Sequence, residues 1–229
     1  MRSELYITRN FACRENLFNE IMTIQESYNN WAREYDTNRN RTRDIEARAL
    51  RELLAGISID ACLEIGCGTG KNTQWLVTRA SHIDAVDFSE EMLKLAKVKI
   101  SSGHAAFRHA DITHDWIFAT QQYDLITFSL VLEHIEHLEH IFGKVSDVIT
   151  RGGYLYIGEL HPFKQYTGSK ARFETAEGSH ALTCFNHHVS DFIIPAKKFG
   201  FELVDLAEYF DDDDRSSIPR LLAILMRKA

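Results

Sequence analysis

The run ACLEIGCGTG at residues 61–70 decides the fold of this chain. Leu63 and Ile65 lie in a short apolar segment bounded by glycines, which is typical of a buried parallel strand. The glycines let the chain turn sharply and let a ligand approach the backbone where no Cβ stands in the way. A helix is predicted over residues 71–79. Together these features predict the start of a doubly wound α/β sheet, whose ligands bind beyond the carboxyl ends of the strands.

The next predicted strand, residues 82–87, ends in Asp87. A carboxylate at this point can accept hydrogen bonds from the two ribose hydroxyls of a bound nucleoside. The spacing is not that of a dinucleotide fingerprint, because Lys71 stands where the last glycine of G-x-G-x-x-G would fall. The phosphate-binding spacing G-x-x-x-x-G-K-[ST] does not occur either. The pattern therefore predicts a nucleoside site of another kind.

Composition indicates one compact domain, which we expect to be cytoplasmic. The chain has 229 residues, of which 45% are hydrophobic and 26% charged, so it is long enough for an α/β domain with a substantial core. A net charge of −7 opposes a primary role in binding nucleic acid, which needs clustered cations. No apolar run approaches the length of a membrane span.

Two further features limit the function. The four cysteines show no C-x-x-C spacing, so neither a zinc ribbon nor a disulfide scaffold is indicated. The N-terminal segment has no apolar core and does not have the pattern of a secretory signal. Residues 1–21 are expected to form either an ordered helix or an extension upstream of a start at Met22, in a peripheral role.

From Glu64 to Gly70 the loop reads E-x-G-x-G-x-G and resembles motif I of the class I S-adenosylmethionine-dependent methyltransferases. Further resemblance runs from about Tyr28 to Arg227. It implies a Rossmann-like, doubly wound sheet of seven strands, the last of them antiparallel. It also implies S-adenosylmethionine as cofactor and S-adenosylhomocysteine as product. The strand that ends near Ser129 lacks the Asn/Asp-Pro-Pro-aromatic motif of base methyltransferases, which argues against DNA or RNA as acceptor.

The resemblance also implies roles for individual residues. A segment of the form Tyr-x-x-Trp-Ala-x-x-Tyr-Asp, here residues 28–36, covers the cofactor in this family. Met92 packs on the adenine in this family, although core packing explains the residue equally well. Asp111 accepts a hydrogen bond from the adenine amino group, and its position relative to the other two motifs favours this role over that of a turn residue. The cofactor-binding residues are expected to be Tyr28, Glu64, Gly66, Cys67, Gly68, Gly70, Asn72, Asp87, Phe88, Met92, Asp111, Ile112 and Ser129.

The predicted domain has four parts. Residues 1–56 form an N-terminal helical cap, with one helix around Tyr28 and another over residues 44–55. Residues 57–160 form the cofactor-binding core, in which the third strand is predicted to end at Ile112 and the fifth to cover residues 154–160. Residues 161–190 form a lid over the acceptor, because they are too long for an ordinary connection and rich in aromatics and histidines. Residues 191–229 add a helix, capped by Ser190, and a final hairpin.

Four histidines are candidates for the catalytic base, and one of them, His188, has facing away or capping a helix as its alternative. A hydroxyl or carboxyl acceptor must lose a proton, and histidine is the usual base near neutral pH. His161 is the first choice because it follows the fifth strand, although a turn role before Pro162 has nearly equal weight. His187 is the second. His134, in a Leu-Glu-His signature of small-molecule methyltransferases, is the third, with a backbone-bonded helix start as its alternative. No metal is expected, since the His187–His188 pair lacks a carboxylate partner at known spacing.

Three functions are consistent with these patterns. The first is methyl transfer to an oxygen or nitrogen of a small molecule by in-line displacement. The second is methylation of an acyl group on a carrier protein, which a basic docking face near the pocket would favour. The third is a non-catalytic binder of S-adenosylmethionine or S-adenosylhomocysteine. We expect no nucleic-acid or membrane partner, and the residues do not distinguish a monomer from a homodimer.

Overall fold

The computed structural model describes residues 23–37, 40–169, 172–175 and 178–229. The two expectations for residues 1–21 lie outside the described residues. Within them the strands are β1 (Ala61–Ile65), β2 (His82–Asp87), β3 (Ala105–His109), β4 (Tyr123–Ser129), β5 (Ile149–Leu160), β6 (Arg172–Thr175), β7 (Gly178–Ala181), β8 (Phe201–Tyr209) and β9 (Leu221–Lys228).

Seven of these strands form a single sheet, in the order β3-β2-β1-β4-β5-β9-β8. The first five pair in parallel, whereas β9 lies antiparallel to both β5 and β8. The remaining two, β6 and β7, form a separate antiparallel hairpin. The predicted doubly wound sheet with an antiparallel last strand is confirmed. The carboxyl ends of the five parallel strands therefore meet at one edge, where this class of sheet binds its ligands.

Helices follow β1, β2 and β4, and side chains cap several of the helices. The helices are α1 (Ile24–Tyr35), α2 (Arg41–Leu53), α3 (Thr73–Leu76), α4 (Glu90–Lys99), α5 (Leu138–Val148), α6 (Pro162–Tyr166) and α7 (Val189–Lys198). A capping box between Thr23 and Glu26 starts α1. A short 3₁₀ turn, Leu132–His134, follows β4.

Several predicted boundaries were wrong. The second helix begins at Arg41 rather than at 44, because the Asn40 side chain caps it by accepting the Arg43 N–H at 3.1 Å. The last helix begins at Val189, with His188 rather than Ser190 as its N-cap. The third strand ends at His109, three residues before the predicted end, so Asp111 lies in the turn that follows. The fifth strand begins at 149 and includes the glycine pair predicted to precede it.

Two apolar clusters cover the two faces of the sheet. On one face Phe142 and Val145 of α5 pack with Phe192 of α7. On the other face Leu50 and Leu54, from α2 and the residue after it, pack in the second cluster. Both faces are buried, which is why the parallel strands form continuous apolar runs in the sequence.

The first helix lies across the ligand edge of the sheet because polar side chains hold it there. The Thr69 hydroxyl donates to Asp36 Oδ1 at 2.7 Å. The Ser89 hydroxyl donates to Asn29 Oδ1 at 2.7 Å. These bonds join α1 and the residue that ends it to the loops that follow β1 and β2. They place Tyr28 above the glycine turn.

Candidate active site

The glycine turn after β1 runs through left-handed backbone. Gly66, Gly68 and Gly70 have φ of 72°, 53° and 83°, a region where residues with a side chain are strained. A Cβ on Gly66 would lie 2.1 Å from Val131 Cγ2, and a Cβ on Gly70 would come within 2.6 Å of a neighbouring side chain. A Cβ on Gly68 would find its nearest neighbour, Tyr35 Cε1, only at 4.0 Å. The outer two glycines permit close packing, whereas Gly68 opens its backbone to a cavity.

Asp87 lies at the end of β2 with its carboxylate held by backbone amides. The Gly68 N–H donates to Oδ2 at 2.8 Å and the Ser89 N–H donates to Oδ1 at 2.9 Å. Burial raises the pKa of Asp87, and these two hydrogen bonds act in the opposite direction. The carboxylate is therefore fixed in orientation, and the same residue lines the cavity beside Gly68.

A cleft at the ligand edge of the sheet, here called the central cavity, has an empty volume of about 870 Å³, including space open to solvent. It is bounded by the glycine turn, the ends of β2 and β4, and α1. Most of the predicted cofactor-binding residues line it. Those present are Tyr28, Gly66, Gly68, Asp87, Phe88, Met92, Asp111, Ile112 and Ser129, together with the base candidate His134.

The other predicted residues, apart from Gly70, line a smaller polar cavity that shares Gly66, Gly68 and Ser129 with the central one. Glu64, Cys67 and Asn72 belong to its wall, with Arg43, Glu46 and Lys71.

Two buried carboxyls define the character of this polar cavity. The Thr73 hydroxyl donates to Glu64 Oε2 at 2.6 Å, and burial raises the pKa of Glu64 to about 8. The Asn72 amide donates to Glu46 Oε2 at 2.8 Å, and burial raises the pKa of Glu46 too. Arg43 supplies positive charge in the same wall. The polar cavity thus offers a cation and two carboxyls, the partners that the carboxylate and ammonium of an amino acid require.

His134 is the predicted histidine that the fold brings to the central cavity. Its Nδ1 lies 3.0 Å from the carbonyl oxygen of Thr183, which can only accept, so Nδ1 carries the proton. Its Nε2 lies 3.0 Å from the Tyr28 hydroxyl and accepts from it. Burial raises the pKa of Tyr28 well above 10, so the phenol is neutral. His134 therefore presents a basic nitrogen to a hydroxyl at the cavity wall.

His161 is placed elsewhere, in the turn role that was its alternative. The Phe163 N–H donates to its Nδ1 at 3.2 Å, and its Nε2 faces Glu208 Oε1 at 3.1 Å. With Nδ1 accepting, Nε2 carries the proton and donates to Glu208, so neither nitrogen has a lone pair for a substrate. His161 is not among the described residues that line the central cavity or the polar cavity. It caps α6 instead.

His187 supports the 3₁₀ turn that carries His134. Its Nε2 lies 3.1 Å from the carbonyl oxygen of Leu132 and 2.8 Å from that of Ile135, so it donates to them. The ring is buried and packs on Phe192. The geometry of His187 is that of a scaffold for the turn rather than of a base.

A second large cleft, here called the lateral cavity, adjoins the central one. Its empty volume is about 1050 Å³, including open solvent. Tyr28, Tyr35 and Leu130 line both cavities. The rest of its described wall consists of Trp31, Asn40, Thr42, Arg43, Glu133, Leu160, Thr167, Gly168, Ser169 and Arg220.

Sequence reasoning missed the contribution of α2. Arg43 and Glu46 line the polar cavity, and Glu46 is buried. A signal was present, because Glu46 precedes Ala49 and Leu50 by three and four positions and so shares their inward face. A charged residue on the buried face of a helix marks a polar site.

Metal ligands and membrane-spanning helices were also sought in the part of the chain that the structure describes. No group of three or more His, Cys, Asp or Glu side chains there is arranged to hold a metal ion. No described helix has the length and apolar character that crossing a membrane requires.

Comparison with known proteins identifies the class. Residues 63–157 match the methyltransferase domain family. An uncharacterized methyltransferase of Emericella nidulans, AN0656, is 25% identical over 225 residues, which cover 82% of this chain and 78% of the relative. A malonyl-[acyl-carrier protein] O-methyltransferase of Priestia megaterium is 26% identical over 200 residues, covering 79% and 71%. Two further curated relatives match over 48% and 49% of their own length.

Solved structures share the fold. A DhpI–SAH complex superposes with a TM-score of 0.70 at 23% identity, covering 90% of this chain and 95% of the other. The match over residues 63–157 and the shared fold support a class I S-adenosylmethionine-dependent methyltransferase with S-adenosylmethionine as its cofactor. They favour an enzyme over a non-catalytic binder. The residues present fit the cofactor, because Gly68 leaves its backbone open and Asp87 turns a fixed carboxylate to the same cavity.

Proposed function

We propose that this enzyme transfers a methyl group to an oxygen or nitrogen of a small molecule. The observation that carries the proposal is the meeting of two cavities at Tyr28, with the Tyr28–His134 hydrogen bond at the wall they share. One cavity has the features of a nucleoside site and the other is large enough for a separate small molecule. Two ligands bound there would meet beside a base.

The cofactor is assigned to the central and polar cavities. Asp87 would accept hydrogen bonds from the ribose hydroxyls, and Met92 and Asp111 would contact the adenine. The amino-acid end would lie in the polar cavity, where Glu64 can accept from the ammonium and Arg43 can pair with the carboxylate.

Bound S-adenosylmethionine supplies an electrophilic methyl group on a sulfonium, which a nucleophile displaces in line. The protein contributes positioning, which can lower a barrier by roughly 7–11 kcal/mol. For a hydroxyl acceptor it also removes a proton. We assign that task to the Tyr28–His134 pair: the acceptor O–H donates to the Tyr28 oxygen while the Tyr28 proton moves to His134 Nε2. Burial disfavours a free tyrosinate, so the two transfers occur together.

The first helix and the segment around β6 and β7 are proposed to close over the acceptor. Tyr28 and Tyr35 of α1 line both large cavities, and residues that follow α6 line the lateral one. Hydrogen exchange with and without S-adenosylhomocysteine tests this proposal. Unchanged protection over residues 24–35 and 161–190, with the glycine turn protected, would remove their lid role.

A carrier-bound acyl acceptor is the alternative, since one relative bears that activity in its name. A basic docking face would favour it. Of the cations around the lateral cavity, Arg41, Arg48 and Arg220 are paired with Asp212, Asp213 and Asp211, so the small-molecule acceptor is preferred. The net charge of −7 supports the expectation that nucleic acid is not the acceptor.

Calorimetry with S-adenosylhomocysteine, followed by a screen of small molecules for methyl transfer, tests the proposed function. We expect binding and transfer to free small acceptors. Binding with transfer only to carrier-bound thioesters would establish the alternative. Failure of S-adenosylhomocysteine to bind would contradict the assignment of the cofactor site.

A further inference from the structure

Part of the lateral cavity wall is polar and carries a cation, Arg220, to which no group of the cofactor is assigned. Arg220, at the start of β9, lines it together with Thr42, Thr167 and Ser169. These groups are hydrogen-bond donors, and they share the cavity with the aromatic side chains of α1. Such a wall suits an acceptor with a charged oxygen group rather than an apolar ring alone.

The cations beside this cavity converge on one carboxylate, Asp211. Arg220 Nη2 donates to Asp211 Oδ2 at 2.6 Å, and Lys164 Nζ lies 3.7 Å from the same oxygen. Arg41 Nε also approaches Asp211, at 3.2 Å, and its second partner is Asp212. Asp211 thus contacts three cations, one of which also pairs with Asp212. Among the described residues that line the lateral cavity, Arg43 and Arg220 are cations and Glu133 is a carboxyl.

Arg220 keeps donors for a ligand. A guanidinium has five N–H groups, and within the described part of the chain the structure records bonds from Arg220 to Asp211 and Thr42 only. The Thr42 hydroxyl accepts from Nη1 at 3.1 Å, which leaves its own proton to donate. Asp211 fixes the plane of the guanidinium, so its remaining N–H groups are pre-oriented for a planar or tetrahedral oxyanion.

Glu133 marks another part of the same cavity wall. It is buried, and its Oε2 has no hydrogen-bond partner among the described residues. Burial raises the pKa of Glu133, which reduces the negative charge it adds to the wall. An N–H or O–H of an acceptor would satisfy this carboxyl. Because Glu133 precedes His134, such a group would also lie near the proposed base.

We propose that the methyl acceptor is a small oxyanion, with its carboxylate, phosphonate or phosphate group on Arg220 and its methyl-accepting group towards Glu133 and His134. The inference rests on the proposed function and adds the class of acceptor to it.

Benzoate and benzamide test the inference, because they have nearly the same shape and differ in charge. Calorimetry is done on the protein saturated with S-adenosylhomocysteine. We expect benzoate to bind at least about tenfold more tightly than benzamide, and Arg220→Gln to weaken benzoate about tenfold with S-adenosylhomocysteine affinity unchanged. Arg41→Gln is the matched control, since Arg41 bonds the same Asp211 but is not among the residues that line the cavity. It should change benzoate affinity by less than about twofold.

Equal affinity for the two probes, no binding of benzoate and phenylphosphonate, or an equal loss in Arg41→Gln would overturn the inference. The comparison of the two probes on the wild type needs no variant, so it decides the matter even if Arg220→Gln does not fold. Failure of S-adenosylhomocysteine to bind the wild type would instead overturn the proposed function, and the two failures are therefore distinguishable.

Discussion

The central and lateral cavities are built in different ways. The central cavity takes its shape from backbone: a left-handed glycine turn, amides that fix Asp87, and a carboxylate at a strand end. The lateral cavity takes its character from side chains of α1, α2, the 3₁₀ turn, the residues after α6 and the start of β9. Several ion pairs beside it join residues more than a hundred positions apart, as Arg41 and Asp212 do.

This difference has a functional consequence. Backbone geometry tolerates exchange of side chains around it, so a shared cofactor can be kept while the rest of the chain varies. A wall of long polar side chains changes its specificity with single substitutions. We therefore expect variants of the central cavity to affect cofactor binding, and variants of the lateral cavity and its boundary to affect turnover or acceptor affinity.

The largest expected effect lies at the boundary between the cavities. His134→Ala should lower turnover by about 10²–10⁴ for a hydroxyl acceptor, because it removes the group that takes the proton. Affinity for S-adenosylhomocysteine should change little. Turnover is measured with an acceptor from the screen, and His161→Ala is the contrast. It should retain turnover and lower thermal stability, since His161 caps α6 and pairs with Glu208. Full activity in His134→Ala would leave positioning as the mechanism and favour an amine acceptor.

In the central cavity, Gly68→Val should weaken S-adenosylhomocysteine about 100-fold or more, because the side chain fills the approach to the backbone and is strained at positive φ. Gly200→Val is the control for strain alone, since Gly200 also has positive φ, 76°, but lies at the end of α7. Calorimetry with S-adenosylhomocysteine on both variants separates the loss of affinity caused by the blocked approach from the loss caused by backbone strain. Binding retained in Gly68→Val would mean that the ligand does not approach this backbone.

A smaller effect is expected at Asp87. Asp87→Ala should weaken S-adenosylhomocysteine by about 1–3 kcal/mol, the scale of hydrogen bonds lost to a charged group. Asp87→Asn keeps one carbonyl oxygen and should lose less. Because Asp87 also accepts from Gly68 and Ser89, thermal unfolding of each variant is measured alongside. Wild-type affinity in Asp87→Ala would show the ribose assignment to be wrong.

The two cavities differ in how well the sequence predicts them, because they are built in different ways. Gly66, Gly68, Gly70 and Asp87 form a local pattern, so the residues alone predict the sheet and the nucleoside site. They do not predict the role of His161, because it depends on Glu208, which is distant in sequence. They do not predict the lateral cavity either, since Arg220 joins Thr42 only in the folded chain. Local geometry is encoded by neighbours along the chain, whereas a wall of side chains is encoded by the packing of distant elements.

Two buried carboxyls allow the comparison to be tested by the pH dependence of ligand affinity. Burial raises the pKa of both Glu64 and Glu159 to about 8. Glu64 lines the polar cavity, where the cofactor's ammonium is assigned. Glu159 accepts the N–H groups of Val131 and Leu132 at 2.9 and 2.8 Å and is not among the described residues that line the three cavities. The two groups thus share a pKa but differ in their distance from the proposed ligand.

The affinity for S-adenosylhomocysteine should therefore rise about three- to tenfold from pH 6 to pH 8, and Glu64→Gln should flatten the rise. An ammonium favours the ionised carboxylate, so binding lowers the pKa of Glu64 and releases a proton until the pH exceeds about 8. Glu46, whose pKa burial also raises, faces the same cavity and acts in the same direction, so Glu46→Gln is measured alongside. Calorimetry on Glu159→Gln should give the wild-type profile. A wild-type affinity that does not change with pH would place the ammonium away from Glu64. Loss of the pH dependence in Glu159→Gln would show that it arises from the fold rather than from the ligand site.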